Sequence, residues 1–274
     1  MKHKHLTELD DAALLPYRSL RNAERLLHEG VFVVEGEKGV RALLATDYPI
    51  VSMLMSPRWY EQLAGELSTR LDDDTVVYTA PDELVDGIVG FTMHKRLMAL
   101  ARIPVNPSHE DFILPGRRVY VALQKVADAE NMGMILRNAA AFGVDGVLHG
   151  PDCSSPWLRR SVRVSVGHQF ALRIRRCDEL LSELRLLRER FGLRIIGTSP
   201  RGGSPRVLAR AAGNDARPLC LLFGSEAHGL TDEALALCDE VFSIPMRNGV
   251  DSLNIANALA VALFLATEER SRHE

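Results

Sequence analysis

The stretch Ile244-Pro245-Met246-Arg247-Asn248-Gly249-Val250-Asp251-Ser252-Leu253-Asn254-Ile255-Ala256-Asn257-Ala258 decides how the rest of the chain is read. A short apolar strand ends at a proline, a glycine-containing loop follows, and Ser252 and Asn254 stand at the start of a long apolar helix that runs to Arg270. Ser and Asn side chains accept hydrogen bonds from the orphan N–H groups of a helix's first turn. Polar side chains beside unpaired backbone donors also suit a ligand. Within this segment alone, cap and binding surface both remain open.

Upstream, Leu219 to Phe223 is a continuous apolar run of the kind found in a parallel sheet buried on both faces. It enters Gly224-Ser225-Glu226-Ala227-His228-Gly229-Leu230 without a polar spacer. A glycine directly after a buried strand would let a ligand approach the backbone closely. Glu226 is an acid at the edge of a core, which requires a partner if buried. A sharp turn with an incidental Glu is the other reading. The usual dinucleotide fingerprint G-x-G-x-x-G is absent, which disfavours a doubly wound nucleotide-binding enzyme.

Further upstream, strands at 118–123, 146–149, 193–197 and 240–244 alternate with helices at 131–142, 178–191 and 231–238. Leu180, Leu184 and Leu187 form one stripe of the second helix. The pattern predicts an α/β domain with a parallel sheet, its ligand loops at the strand C-termini. Asn131 and Gly143 read as N-cap and C-cap of the first helix. Arg137 lies among Ile135, Leu136, Ala139 and Ala140, on a face expected to be buried or interfacial unless the stem reaches back to solvent.

Ile103-Pro104-Val105-Asn106-Pro107-Ser108 reads as a linker, because two prolines restrict the chain and remove donors. It divides the 274 residues into 1–107 and 108–274. The first part alternates strands (31–36, ending in a turn, 50–55 and 75–78) with helices (38–45, 60–71), predicting a small α/β/α domain. It holds 12 Lys+Arg and 16 Asp+Glu, against 21 and 20 in the second part. Neither balance is that of a strongly basic DNA-binding domain. Arginines cluster, however, at Arg159, Arg160 and Arg163 and at Arg173, Arg175 and Arg176. Arg suits planar phosphate contact, although such clusters also serve as solvated faces.

No run of about 18 apolar residues suggests a membrane span, and the N-terminus lacks the apolar region of a signal peptide. Cys153, Cys177, Cys220 and Cys238 form no C-x-x-C pair, so neither a disulfide framework nor a metal site is expected. A reduced, cytoplasmic setting is the simplest expectation.

Taken together, Asn131/Gly133/Arg137/Ala139, Gly224/Glu226/Gly229/Leu230 and Ile244-Pro245-Met246 with Gly249 and Ser252-Leu253-Asn254 resemble the SpoU (TrmH-like) branch of the SPOUT RNA methyltransferases. The motifs stand in that family's order over roughly residues 115–270, and Arg163-Val164-Ser165-Val166-Gly167 resembles its R-x-S-x-G stretch. The resemblance implies a parallel sheet whose C-terminus threads a deep trefoil knot, an exception to the unknotted rule. It also implies an N-terminal accessory domain that binds RNA, and a homodimer built near the closing helix, with Ala256, Ala258, Ala260 and Ala262 allowing close approach. S-adenosylmethionine is the implied cofactor, with Gly224, Ile244, Leu253, Met246 and Thr198 as its contacts.

By the same resemblance Arg137 is the leading catalytic residue for methylation of a ribose 2′-OH, with Asn131, Glu226, Ser252 and Asn254 holding it and the loops. Arg159, Arg160 and Arg163 become RNA-phosphate contacts. Ribosomal RNA is the favoured substrate. Transfer RNA, or a non-catalytic RNA-binding protein of the same fold, are the alternatives. The chain departs from the family pattern at Asn138, His168 and Asn257.

Overall fold

The computed structural model describes residues 1–8, 14–18, 23–90, 92, 95–116, 118–209 and 217–268. Two compact units emerge: Met1–Val105 with Pro156–Phe170, and Asn106–Ser155 with Ala171–Glu274. A single cut after residue 107 therefore misses an exchange, since residues 156–170 pack within the first unit.

The first unit contains β1 (Lys2–His5), α1 (Leu15–Arg18), α2 (Ala23–His28), β2 (Val31–Glu35), α3 (Glu37–Leu44), β3 (Ile50–Met55), α4 (Pro57–Arg70), β4 (Val76–Thr79), α5 (Asp82–Val89) and β5 (Leu97–Arg102). Its sheet runs β1-β4-β3-β5-β2. β1, β4 and β3 are parallel, whereas β5 is antiparallel to both β3 and β2. Alternation along β2 sends Val31 and Val33 to a core shared with Tyr17, Leu26, Val85 and Ile88. Phe32 turns the other way and meets Trp157 and Phe170, at 5.0 and 5.8 Å between ring centres. Those two aromatics flank the helix Arg159–Ser165 (α8 in chain order) and explain why it joins this unit.

The second unit is built on one all-parallel sheet, ordered β11-β9-β10-β6-β7-β8. In chain order it comprises α6 (His109–Phe112), β6 (Val119–Leu123), α7 (Ala129–Ala141), β7 (Gly146–His149), β8 (Arg173–Arg176), α9 (Leu180–Phe191), β9 (Arg194–Gly203), β10 (Leu219–Phe223), α10 (Asp232–Leu237), β11 (Glu240–Phe242) and α11 (Ile255–Thr267). One face packs Tyr120, Leu148, Ile195 and Leu222 under Leu180, Leu184 and Leu187 of α9 and Ala234 and Leu237 of α10. The opposite face carries α7 and α11, which pack against each other. The arginines at 173, 175 and 176 prove to be an edge strand. Arg175 reaches Glu183 (2.6 Å), and Arg176 exchanges backbone bonds with the Asn106 side chain. α11 begins at Ile255, three residues later than read from sequence, and the predicted end at Arg270 lies outside the described residues.

Candidate active site

The C-terminal ends of β9, β10 and β11 surround a cleft of about 530 Å³. Thr198, Gly224, Ile244, Met246 and Leu253 all line it, as do Glu226 and Ser252. Sequence reading missed further liners, among them Ser199, Ser225, His228, Ser243 and Asp251. Their signal was available, since each sits within two residues of a motif position at a strand end.

Gly224 has a second reason beside the close ligand approach that its sequence position suggests. A Cβ there would lie 2.2 Å from the backbone carbon and oxygen of Gly229. The loop folds back on itself in a Ser225–Gly229 bridge, with Gly229 N donating to Ser225 O at 2.8 Å. Gly224 is thus required by the loop's own closure. The second loop turns through two left-handed residues, Asn248 (φ 58°) and Gly249 (φ 72°), a conformation that Asn and Gly tolerate best.

Three polar side chains tie the motif segments together. Asn131 Nδ2 donates to Glu226 Oε2 (3.0 Å), and Asn254 Nδ2 lies within bonding distance of both Asn131 Oδ1 (2.8 Å) and Glu226 Oε1 (2.7 Å). The N–H of Ile255 also points at Glu226 Oε1, at 3.3 Å. Glu226 is exposed and accepts hydrogen bonds from the Asn131 and Asn254 side chains. Asn131 is buried and does not cap α7. That cap is Asp128, which accepts from Asn131 N at 2.8 Å. Asn254 alone caps α11, accepting from Ala256 N at 3.0 Å, while Ser252 stays exposed in the cleft. Asn138, two turns from Asn131 and on the same face of α7, donates to Ala256 O at 2.9 Å.

Arg137 is exposed on α7 and has no hydrogen-bond or ion-pair partner among the described residues. The expected buried face therefore belongs to its neighbours, and none of Asn131, Glu226, Ser252 or Asn254 bonds to it directly. The cluster fixes the helix that carries Arg137. Arg159, Arg160 and Arg163 lie in the first unit. Arg159 Nε donates to Glu35 Oε2 (2.9 Å), and Arg163 stands 3.6 Å from the other oxygen of the same carboxylate. On α11, Ala256 and Ala262 face inward, and the exposed stripe is Asn257, Val261 and Phe264.

Residues 118–264 match the model of the SpoU rRNA Methylase family. The chain belongs to that family. An uncharacterized tRNA/rRNA methyltransferase of Mycobacterium bovis is 32% identical over 268 residues, covering 96% of this chain and 91% of the relative. Among solved structures, an AdoMet-bound rRNA methyltransferase from Sinorhizobium meliloti superposes with a TM-score of 0.82 at 24% identity, covering 97% and 98% of the two chains. A TrmH-family protein from Porphyromonas gingivalis gives 0.79 at 25%, covering 96% and 100%. The SpoU family uses S-adenosylmethionine, and the cleft suits such a group. Ile244, Met246 and Leu253 offer apolar walls for a purine, hydroxyls at 198, 199, 225 and 243 offer partners for a ribose, and Glu226 and Asp251 offer negative charge toward a cation. Among the described residues no group of three His, Cys, Asp or Glu side chains could hold a metal ion, and no helix is long and apolar enough to cross a membrane.

Proposed function

We propose that this SpoU-family chain methylates a ribose 2′-OH in RNA, with ribosomal RNA as the substrate class. The observation that carries the reading is Arg137. Its guanidinium is exposed and has no partner among the described residues, on a helix that Asn131 and Asn138 bind to the start of α11 and hence to the cleft wall. Bound in the cleft, S-adenosylmethionine supplies an electrophilic methyl group on a sulfonium. Gly224, Ile244, Met246, Leu253 and Thr198 hold it. A guanidinium cation has no lone pair to offer a proton, so the role assigned to Arg137 is not that of a base. It stabilises the developing charge on the ribose oxygen, and the 2′-OH proton passes to solvent water with the adjacent RNA phosphate assisting. Asn131, Glu226 and Asn254 keep α7 and both cleft loops in register, and Ser252 remains free to meet the substrate.

The same reading includes a trefoil knot formed as the chain after β11 returns past the 224–230 loop. It includes a homodimer that covers Val261 and Phe264 of α11, RNA binding by the first unit, and a cytoplasmic location. The family description names rRNA and the Mycobacterium bovis relative is named for both tRNA and rRNA, so ribosomal RNA is the class common to the two. Arg137→Ala is expected to abolish methyl transfer to RNA while calorimetry shows unchanged S-adenosylmethionine affinity. An active variant would refute the role. Mapping 2′-O-methyl marks on total RNA with and without the gene separates ribosomal from transfer RNA, and loss of no mark in either leaves only a non-catalytic RNA-binding protein.

A further inference from the structure

At the two ends of the parallel sheet the cations differ in pairing, the exposed Arg173 at the start of β8 being an exception without a partner among the described residues. Where the strands begin, Arg118 pairs with Asp145 and Arg188 with Asp239, both at 3.1 Å, while Arg190 pairs with Glu110 and Arg194 with Glu240. Where the strands end, Lys125 follows β6, Arg201 lies in the last part of β9, and Arg247 lies in the loop after β11. All three are exposed, and none has a side-chain partner among the described residues.

Their placement follows the cleft. Arg201 and Arg247 immediately succeed the cleft residues Pro200 and Met246. Lys125 sits in a left-handed conformation (φ 58°) beside Gln124, whose N–H donates to Phe223 O at the root of the Gly224 loop. β11, β9, β10 and β6 are consecutive neighbours, so the three cations bracket the cleft over three strand spacings, about 14 Å. The two carboxylates that line the cleft do not pair with them. Glu226 is bonded to Asn131 and Asn254, and Asp251 makes no ion pair within the second unit's described residues. Exposed Lys and Arg without carboxylate partners are the groups that release counterions when they meet phosphates. The Arg159 guanidinium, by contrast, already has a carboxylate.

We infer that Lys125, Arg201 and Arg247 form a phosphate-binding rim that holds the backbone of the substrate RNA strand across the cofactor cleft, which rests on the RNA-methylation reading above. Three contacts to single-stranded RNA contribute about 2 to the slope of log K against log salt. The test compares the full-length chain with a Lys125→Gln/Arg201→Gln/Arg247→Gln variant. Anisotropy of a fluorescein-labelled single-stranded oligouridine is titrated from 50 to 200 mM KCl. The variant's slope should be shallower by about 2, so that the wild type loses roughly 18-fold more affinity over that range. Arg118→Gln/Arg190→Gln, at the opposite edge, should leave the slope unchanged, and S-adenosylmethionine affinity should be the same in all three proteins. An unchanged slope in the triple variant, an equal drop in the opposite-edge control, or a tenfold loss of cofactor affinity would each overturn the rim. A wild type that binds cofactor but no RNA would also sink it and spare the cleft assignment. A wild type that binds neither removes the methyltransferase reading itself.

Discussion

Replacing Asn131 tests whether the polar cluster, and not merely the apolar packing of α7, sets the site. Asn131→Ala removes one bond to a carboxylate (Glu226 Oε2, 3.0 Å) and the acceptor nearest Asn254 Nδ2 (Oδ1, 2.8 Å). A hydrogen bond to a charged group contributes about 1.5–3 kcal/mol and a neutral one about 0.5–1.5 kcal/mol. Both figures are upper values here. Water can reach the exposed Glu226, and Asn254 keeps its 2.7 Å bond to Glu226 Oε1. A net loss of about 1–2 kcal/mol remains, equivalent to a drop of roughly 3–6 °C in the melting temperature of the second unit. Asn131→Asp sharpens the test because it conserves volume while turning the donor into an acceptor. Two carboxylates then meet in place of a bonded pair, so at pH 7 Asp should be less tolerated than Ala. Scanning calorimetry gives the stability, and methyl transfer to RNA should fall more than cofactor affinity, because α7 carries Arg137. If Asn131→Asp matches the wild type in melting temperature and turnover at pH 7, the cluster does not organise this site.

Two other perturbations probe separate parts of the second unit. Gly224→Ala must displace the Gly229 carbonyl from a Cβ only 2.2 Å away, so the loop opens, and S-adenosylmethionine affinity measured by calorimetry should fall at least tenfold; unaltered affinity would show that the loop's closure is irrelevant to the cleft. Burial at the end of β7 pushes the His149 imidazole from 6.5 down to about 4, with the Gly150 carbonyl opposing and Arg176 adding slightly. Between pH 6.5 and 4 the unfolded chain therefore binds a proton that the folded one refuses. The stability His149 contributes is intact above 6.5 and declines by about 3 kcal/mol as pH falls to 4. Urea denaturation of His149→Gln should show a correspondingly flatter pH profile across that window, and an identical profile would contradict the burial argument.

How far the sequence could be read follows from which interactions are local. The parallel sheet of the second unit was legible because its strands are apolar on both faces, and runs such as Leu219–Phe223 have no other stable home. β1 was not legible: Lys2–His5 is exposed along its whole length, an edge strand recruited by pairing with Val76–Thr79 and by nothing in its own pattern. β5 was hidden for the opposite reason. Leu97-Met98-Ala99-Leu100-Ala101 is rich in good helix formers, and tertiary pairing on both sides overrides that preference.

The site divides along the same line. Every expected cofactor residue lines the cleft, because strand ends and helix starts are local features that motif spacing fixes. The roles of individual polar groups depend on what faces them across the fold. Asn131 looked like a cap because Asn caps helices, yet Asp128 was the better-placed acceptor three residues earlier, which released Asn131 to bond with Glu226 and Asn254. The arginines divide in the same way. Arg159 and Arg137 are chemically identical in sequence, and Glu35, 124 positions from Arg159, distinguishes a cation already paired from one with no partner among the described residues. A cluster of arginines is therefore weak grounds for an RNA contact until its carboxylates are located.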